Sequence, residues 1–182
     1  LEIEQVHLCG VSMGGMISQT VALDYPDRVA SLALVNTTSE YTEDQLQAWR
    51  DRSNLVLREG MEAVRAPLMD RWLTEAAASA RSPAYVYMES VIARFPAESF
   101  AAASAAMCGL YTTSRLPEIQ VPTIVIATPD DPGVPTATSE LMARTLGAPL
   151  HWLEPARHLA SLEHVERFNK LMRDFLAVAL RQ

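Results

Sequence analysis

The sequence predicts an α/β protein: a mostly parallel sheet flanked by helices, with a helical segment inserted into it. Short apolar runs alternate with helical periodicity in residues 1–40 and again in residues 117–182. The runs lack the polar alternation of a half-exposed strand, as is typical of buried parallel strands. Residues 41–116 carry helical patterns and no strand. We therefore expect a core built from both ends of the chain and an insertion between them.

The first elements are a strand, a sharp turn and a helix. The apolar run QVHLCG (5–10) predicts a strand, and MGGMISQTVALDYPDRV (13–29) predicts a helix that ends at Pro26. A second buried strand is predicted for VASLALVNT (29–37). The expected interior residues of the helix are Met16, Ile17, Val21 and Leu23.

Four helical stretches make up the middle of the chain. They are TEDQLQAWRDRSNLVLREG (42–60), MEAVRAPLMDRWLTEAAAS (61–79), SPAYVYMESVIARF (82–95) and PAESFAAASAAMCGL (96–110). We interpret residues 41–116 as a lid over the carboxyl ends of the strands, where open α/β sheets bind ligands.

Strand and helix alternate again towards the end of the chain. PTIVIAT (122–128) and PLHWLE (149–154) predict strands, and PTATSELMARTLG (135–147) predicts a helix between them that stops at Gly147. The last run, SLEHVERFNKLMRDFLAVAL (161–180), predicts one long amphipathic helix. Its apolar face is expected to comprise Leu162, Val165, Phe168, Leu171, Met172 and Phe175.

Composition excludes several function classes. The net charge is −7, from 15 basic and 22 acidic side chains, which disfavours nucleic acid as a partner. No apolar run approaches the roughly 20 residues of a membrane-spanning helix, so no membrane partner is expected. The two cysteines, Cys9 and Cys108, exclude a disulfide framework and are expected to be reduced, buried thiols. We expect a cytoplasmic protein; composition leaves the oligomeric state open.

Residues 7–16, HLCGVSMGGM, place Ser12 between glycines where a strand gives way to a helix. A serine hydroxyl is a poor nucleophile until a base takes its proton and donors stabilise the oxyanion. Such a turn directs the serine side chain away from the sheet and places it beside the unpaired N–H groups at the N-terminus of the helix. A Cβ at Gly10 or Gly14 would collide with backbone, and Gly15 would let the helix approach the sheet. The alternative is that Ser12 only caps the helix.

A nucleophilic serine needs a histidine and a carboxylate, which follow in the order Ser, acid, His in nucleophile-elbow folds. The strand at 122–128 leads into PDDPGVP, which offers Asp130 and Asp131. The strand at 149–154 leads into PARHLASLE, which offers His158. We favour Asp131, which lies further beyond its strand, whereas Asp130 can cap the turn.

The other three histidines are disfavoured by position. His7 and His151 lie in predicted strands, and His164 lies in the last predicted helix. His158 is therefore the expected base. Its alternative role is that of a loop-capping histidine.

The motifs GVSMGG, TPDDPGVP and ARHLASLE resemble the α/β-hydrolase family, and HLCGVSMGGM…ALDYPDRVASLALVNT is similar to its 3-oxoadipate enol-lactonase branch. The resemblance implies a catalytic triad of Ser12, Asp131 and His158. It also implies that the backbone N–H of Met13 is one oxyanion donor. The implied reaction hydrolyses a small-molecule ester or lactone through an acyl-enzyme, with no cofactor and no metal.

Three departures from the family pattern stand out. Thr128 and Arg157 occupy positions where members usually or often carry glycine. The third departure is that the family's first strands, with the loop that supplies the second oxyanion donor, are absent, on the order of 80 residues. We therefore expect the sequence to be a piece of a longer protein whose preceding segment is its partner.

Substrate choice is expected to lie in the lid. The candidate substrate-binding residues are Met69, Arg71, Trp72 and Tyr85, and the candidate arginines for clamping a carboxylate are Arg65, Arg71, Arg94 and Arg115. Each has a plainer alternative as lid core or solvated surface. Rival functions on the same fold are acyl transfer, cofactor-free haloperoxidase or dioxygenase chemistry, and ligand binding without catalysis.

Overall fold

The computed structural model describes residues 2–181 and divides the chain into two compact units. The first unit comprises residues up to Glu40 and from Tyr111 onward, and the second, which we call the helical unit, comprises Tyr41–Leu110. The predicted insertion reached residue 116. Residues 111–116 group with the first unit, where the Thr112 hydroxyl donates to Gln19 Oε1 over 2.6 Å.

The first unit is built on a sheet of four parallel strands in the order β1–β2–β3–β4. The strands are β1 (Val6–Val11), β2 (Val29–Val35), β3 (Thr123–Ala127) and β4 (Leu150–Trp152). Every strand predicted from the sequence is present, each with slightly different bounds. Because all four strands are parallel, their carboxyl ends meet at one edge, where the loops after β1, β3 and β4 carry Ser12, Asp131 and His158.

Apolar side chains pack against both faces of the central strand β2, as is typical of parallel sheets. Strand β1 is less covered, because His7 and Cys9 are exposed, so the prediction of a buried Cys9 thiol is wrong. Successive side chains of a strand point to opposite faces, so β2 divides its residues between two clusters. Leu32 and Leu34 pack with residues of α1 (Met13–Asp24) and α7 (Thr136–Leu146). Ala33 and Val35 lie in the cluster on which Phe168, Leu171, Met172 and Phe175 of α9 (Val165–Ala179) pack.

Helix α1 ends at Asp24 and is followed by a 3-10 turn over Pro26–Arg28. Met16 and Leu23 are buried as expected, and Val21 packs against the core. The prediction for Ile17 is wrong, because 45% of this residue is exposed. A helix with only one face on a sheet buries a limited arc.

The predicted last helix is divided in two. A single turn, α8 (Ala160–Glu163), is separated from α9 by His164, whose φ of −125° and ψ of 52° lie outside the helical region. Val165 directly follows this break and is 50% exposed, so its assignment to the apolar face is wrong. Leu162 is half-buried.

The helical unit contains α2 (Glu43–Glu59), α3 (Glu62–Trp72), α4 (Glu75–Ser79), α5 (Pro83–Arg94) and α6 (Ala97–Cys108). The stretch at 61–79, expected as one helix, forms both α3 and α4. The division occurs because Leu73 is extended and the Thr74 side chain accepts a hydrogen bond from the amide of Ala77, which starts a new helix. Thr42 and Gln45 form a capping box at the start of α2.

None of the helices in the part of the chain that the structure describes combines the length and apolar character that a bilayer crossing requires.

Candidate active site

Ser12 lies on a strained turn between β1 and α1. Its φ of 54° and ψ of −119° fall in a region that residues with a side chain rarely adopt. Two hydrogen bonds hold it there: the Ser12 amide donates to the Val35 carbonyl over 2.9 Å, and the Thr37 hydroxyl donates to the Ser12 carbonyl over 2.6 Å. Val35 is the last residue of β2 and Thr37 follows it by two residues, so the end of the neighbouring strand fixes the turn on which Ser12 lies.

Two of the three nearby glycines are required by close packing. A Cβ on Gly10 would lie 2.2 Å from the carbonyl oxygen of Gly14, and a Cβ on Gly15 would lie 2.6 Å from the Thr37 side chain. Gly15 therefore brings α1 close to the end of β2, as expected. The expectation for Gly14 is wrong, because a Cβ there would meet no atom within 4 Å.

The Ser12 side chain makes no capping hydrogen bond to α1. The alternative interpretation, a serine that only caps the helix, therefore lacks its defining contact. Met13 is the first residue of the helix, and first-turn amides have no acceptor within the helix. Its N–H is thus available beside the serine.

Asp131 and His158 are in direct contact. The Nδ1 atom of His158 lies 2.7 Å from Oδ2 of Asp131, and each residue is only 6% exposed. The second carboxylate oxygen of Asp131 accepts a hydrogen bond from the Gly133 amide over 2.7 Å. Asp130, the alternative acid, is exposed. The structure thus brings Asp131, and not Asp130, onto the histidine.

Hydrogen bonds keep Asp131 ionised despite its burial. Burial alone would raise the pKa of this carboxyl group, but the hydrogen bond and charge of His158, the Gly133 amide and the Asn36 side chain outweigh it and lower the pKa below its usual value. A carboxylate only accepts hydrogen bonds, so Nδ1 of His158 must carry a proton. In the neutral ring Nε2 is then unprotonated and can act as a base.

Asn36 is a residue of this site that the sequence analysis missed. It follows β2 with a φ of 42°, and its side-chain amide donates to Asp131 Oδ2 over 3.0 Å and to the Thr128 hydroxyl over 2.9 Å. The signal was present in the sequence: an asparagine directly after a buried strand tolerates positive φ and offers two donors at the carboxyl edge.

The orientation of the Asn36 amide follows from its neighbours. Its oxygen, Oδ1, is buried and has no hydrogen-bond partner among residues 2–181. Turning the amide over would place that oxygen against the carboxylate of Asp131, which is less favourable than leaving it unpaired. Both N–H groups of the Asn36 side chain therefore donate to residues of the loop after β3, Thr128 and Asp131, while its side-chain oxygen stays without a partner among residues 2–181. Asn36 is thus a positioning residue for Asp131.

Thr128 and Arg157, the two departures from the family pattern, meet in the structure. Thr128 is buried, and its hydroxyl donates to the Arg157 carbonyl over 3.3 Å and accepts from the Asn36 side chain. It thus links the loop of the acid to the loop of the histidine. A glycine at position 128 would supply neither bond.

A short series of hydrogen bonds connects the three loops. Thr37 binds the Ser12 carbonyl, its neighbour Asn36 binds Asp131, and Asp131 binds His158. Ser12 and His158 therefore lie at the same edge of the same sheet. The observed contact joins the acid to the histidine, and the contact between the histidine and the serine belongs to the proposal below.

The other three histidines have other environments. Nδ1 of His7 lies 2.8 Å from the Ser31 hydroxyl, and Nε2 of His164 lies 2.7 Å from the Pro155 carbonyl oxygen. His151 is half-buried within β4. Of the histidines, it is His158 that meets a buried carboxylate.

The predicted substrate-binding residues lie in the helical unit. Met69 is buried there, whereas Arg71, Trp72 and Tyr85 are half-buried, with the Arg81 guanidinium 5.6 Å from the Tyr85 ring. Their contact with a substrate stays a prediction.

Among the residues that the structure describes, no group of three or more histidine, cysteine or acidic side chains is placed to hold a metal ion.

Comparisons with known proteins decide the family. Residues 1–165 match the family described as alpha/beta hydrolase fold. The chain belongs to the α/β-hydrolase family. The enol-lactonase from Burkholderia xenovorans superposes with a TM-score of 0.91 and 26% sequence identity, covering 97% of this chain and 67% of that one. A hydrolase from Pseudomonas aeruginosa superposes with a TM-score of 0.90 and 29% identity, over 96% and 66% of the two chains.

Two sequence relatives are named as an enol-lactonase and a hydrolase. The 3-oxoadipate enol-lactonase 2 of Acinetobacter baylyi is 28% identical over 93% of this chain and 62% of its own length. A 2-hydroxy-6-oxononadienedioate/2-hydroxy-6-oxononatrienedioate hydrolase of Paraburkholderia xenovorans is 30% identical over 97% of this chain and 64% of its own. The chain therefore spans less than two thirds of the length of these relatives.

The ionised state of Asp131 has a consequence for stability. Because its pKa is lowered in the folded state, its contribution is present above the unfolded value of about 3.9 and is lost as the pH falls through the folded value. We expect Asp131→Asn to lower the free energy of unfolding by about 2 kcal/mol near neutral pH. Urea titrations from about pH 6 to about pH 3 should show the difference shrinking below about pH 4.

The exposed neighbour provides the matched control, since Asp130→Asn should leave the profile of the wild-type protein unchanged. A constant difference between Asp131→Asn and wild type at every acid pH would contradict the assignment of a lowered pKa to Asp131.

Proposed function

We propose that this chain is the catalytic part of a serine hydrolase that cleaves a carboxylic ester or lactone through an acyl-enzyme. The observation that carries the proposal is the buried pair of Asp131 and His158, held at the same sheet edge as Ser12 on its strained turn. In this proposal, Ser12 is the nucleophile, His158 the general base and acid, and Asp131 the group that orients the imidazole ring.

Acylation begins when Ser12 Oγ attacks the carbonyl carbon and Nε2 of His158 takes its proton. Asp131 stabilises the imidazolium ion that forms, without itself taking the proton. The tetrahedral intermediate collapses, the bond to the leaving oxygen breaks, and Nε2 returns its proton to that oxygen. In a lactone the leaving oxygen stays attached to the acyl group.

Deacylation repeats these steps with water as the nucleophile. Nε2 of His158 takes a proton from the water, which attacks the acyl carbon, and the proton then passes to Ser12 Oγ as the serine is released. The net reaction adds one water molecule across the ester bond and needs no oxidant or reductant.

The negative oxygen of each tetrahedral intermediate needs donors that are in place beforehand. The Met13 amide at the start of α1 is one such donor in the proposal. We propose that the second donor comes from a segment that precedes the chain in the native protein, since the relatives are longer than this chain.

The names of the relatives support an ester-like substrate. Lactonases act on cyclic esters, and both the sequence relative from Acinetobacter baylyi and the structure from Burkholderia xenovorans are named as enol-lactonases. We propose that the helical unit serves as a lid that selects the substrate, with Met69, Trp72 and Tyr85 among its contacts.

A fluorophosphonate probe tests the proposal in the native protein. An activated serine displaces fluoride from the phosphorus atom, so peptide mass spectrometry should find the probe on Ser12. Ser12→Ala and His158→Ala should abolish the label, whereas Ser161→Ala, a half-buried serine near the histidine, should retain it. Labelling at another serine, or none in the folded protein, would refute the nucleophile.

A further inference from the structure

Side chains bind the backbone of the loop that carries His158, between β4 and α8. The Arg167 guanidinium donates to the Glu154 carbonyl over 2.9 Å. Nε2 of His164 lies 2.7 Å from the Pro155 carbonyl oxygen and is the donor, because a carbonyl group only accepts hydrogen bonds. These two contacts hold the start of the loop.

The peptide groups directly before His158 are bound from two sides. The Arg157 amide donates to Oε2 of Glu163 over 3.0 Å, and the Arg157 carbonyl accepts from the Thr128 hydroxyl over 3.3 Å. Glu163 lies on α8, and Thr128 directly follows β3. We call this arrangement, in which two side chains bind the amide and the carbonyl of Arg157, the Arg157 clamp.

The clamp fixes the backbone from which the His158 side chain extends. A peptide group is planar, so the plane that contains the Arg157 carbonyl also contains the nitrogen and Cα of His158. The Arg157 amide belongs to the plane before it. Only φ and ψ of Arg157 separate these two planes. Because both planes are hydrogen-bonded to side chains, the position of the His158 Cα is restricted.

The Thr128 hydroxyl is itself oriented by Asn36. The Asn36 side chain donates to the hydroxyl oxygen of Thr128 over 2.9 Å, which directs the hydroxyl proton towards the Arg157 carbonyl. Thr128 and Asn36 are both buried, so water does not compete for these bonds. The same Asn36 side chain donates to Asp131. The clamp and the acid therefore share one support.

We propose that Thr128 and Glu163 are positioning residues for His158, acting through the Arg157 backbone. The inference rests on the proposed function, in which His158 is the base. A ring held only by its bond from Nδ1 to Asp131 can still turn about that bond. A second fixed point at Cα determines where Nε2 lies, and catalytic groups need placement to within about 0.5 Å.

The test removes each half of the clamp in the native protein. Thr128→Val removes the hydroxyl with little change of shape, and Glu163→Ala removes the acceptor of the Arg157 amide. With a short-chain chromogenic ester, we expect each variant to lower kcat by about tenfold or more. KM should stay within about twofold, because the clamp binds backbone and not substrate.

Conservative variants should restore the rate. Thr128→Ser keeps a hydroxyl group, and Glu163→Gln keeps an acceptor oxygen, so kcat should return to within about threefold of the wild type. Glu163 is half-buried, and its variants keep the test open if Thr128→Val fails to fold. Thermal melts show which variants are folded.

The chain offers a matched control for each substitution. Thr123 is buried at the amino end of the strand that Thr128 follows, and its hydroxyl donates to the Val121 carbonyl over 2.9 Å. Thr123→Val should therefore lose stability as Thr128→Val does but keep the kcat of the wild type. Glu166 is exposed in the first turn of α9, and Glu166→Ala should keep both stability and kcat.

Proton NMR of the His158 ring gives a readout without turnover. The proton on Nδ1, between the ring and Asp131, should exchange with water about tenfold faster in Thr128→Val and Glu163→Ala than in the wild type. Its exchange should be unchanged in Thr123→Val. A role of the clamp in stability alone would not produce this difference.

Two outcomes would overturn the inference: a wild-type kcat in both folded clamp variants, or an equal loss of kcat in Thr123→Val. Its failure is distinguishable from failure of the proposed function. If fluorophosphonate labels Ser12 and the clamp variants behave like Thr123→Val, only the inference fails. If Ser12 is not labelled while the Nδ1 proton responds as expected, the positioning of His158 stands and the nucleophile is refuted.

Discussion

Ser12→Ala is expected to lower kcat/KM of the native protein for a short-chain chromogenic ester by about four to six powers of ten. The expectation follows from the geometry of the turn, which holds the serine at the end of β1 beside the first amide of α1. Removing the hydroxyl removes the atom that forms the acyl-enzyme. What activity remains comes from binding and the oxyanion donors, which accelerate attack by water only modestly.

The same assay separates a triad from three independent residues. His158→Ala should cost about as much as Ser12→Ala, and the double variant should be no slower than either single one, because the two residues act as a unit. Asp131→Asn should cost about four powers of ten, since an amide cannot hold the imidazole in the required tautomer.

Asp130→Asn is the control for Asp131→Asn, and its rate should match that of the wild type within about threefold, as for a surface substitution. If Ser12→Ala keeps more than about a hundredth of the original rate, the nucleophile lies elsewhere and the proposed mechanism fails.

Features set by local chemistry could be predicted from the sequence. The strands are short apolar runs with turn residues at their ends, so β1 to β4 were located within a few residues. The serine, the acid and the histidine each lie in the loop that follows a strand, and the parallel sheet brings the ends of its strands to one edge. Order along the chain was enough to place Asp131 and His158 in the same region.

Features set by tertiary contacts could not be predicted from the sequence. Ile17 and Val165 fit the helical period of apolar residues but are exposed. The period does not indicate how wide an arc of each helix the sheet covers. The sequence places Asn36 at the end of a buried strand, but its contact with Asp131 depends on β2 neighbouring β3, whose loop carries Asp131. The breaks at Thr74 and His164 depend on a side-chain cap and on a backbone angle that helical propensity does not encode.

The partners of the arginines could not be predicted from the sequence either. The sequence presents seven arginines between Tyr41 and Leu110, and nothing in their spacing shows which of them pair with carboxylates. Only the packed helices show that Glu89 serves both Arg65 and Arg81 while Arg52 stacks on Trp49. Which arginines form ion pairs is a property of the fold.

Gly10→Ala is expected to destabilise the first unit by about 3 kcal/mol or more. The new Cβ would lie 2.2 Å from the carbonyl oxygen of Gly14, 2.3 Å from its carbon and 2.5 Å from the Gly15 nitrogen. All three are backbone atoms, so no side chain can rotate away, and the start of α1 has to move from the end of β1. Urea unfolding would measure the loss, and the displaced turn should also reduce fluorophosphonate labelling of Ser12.

Gly14→Ala, within the same motif, is the matched control with the opposite expected sign. A Cβ there meets no atom within 4 Å, and Gly14 lies in the first turn of α1 with an ordinary negative φ. Alanine is favoured over glycine in a helix by about 0.5–1 kcal/mol, so this variant should be as stable as the wild type or slightly more stable. Equal destabilisation by both substitutions would show that the motif tolerates no side chain at either glycine, against the packing described for this turn.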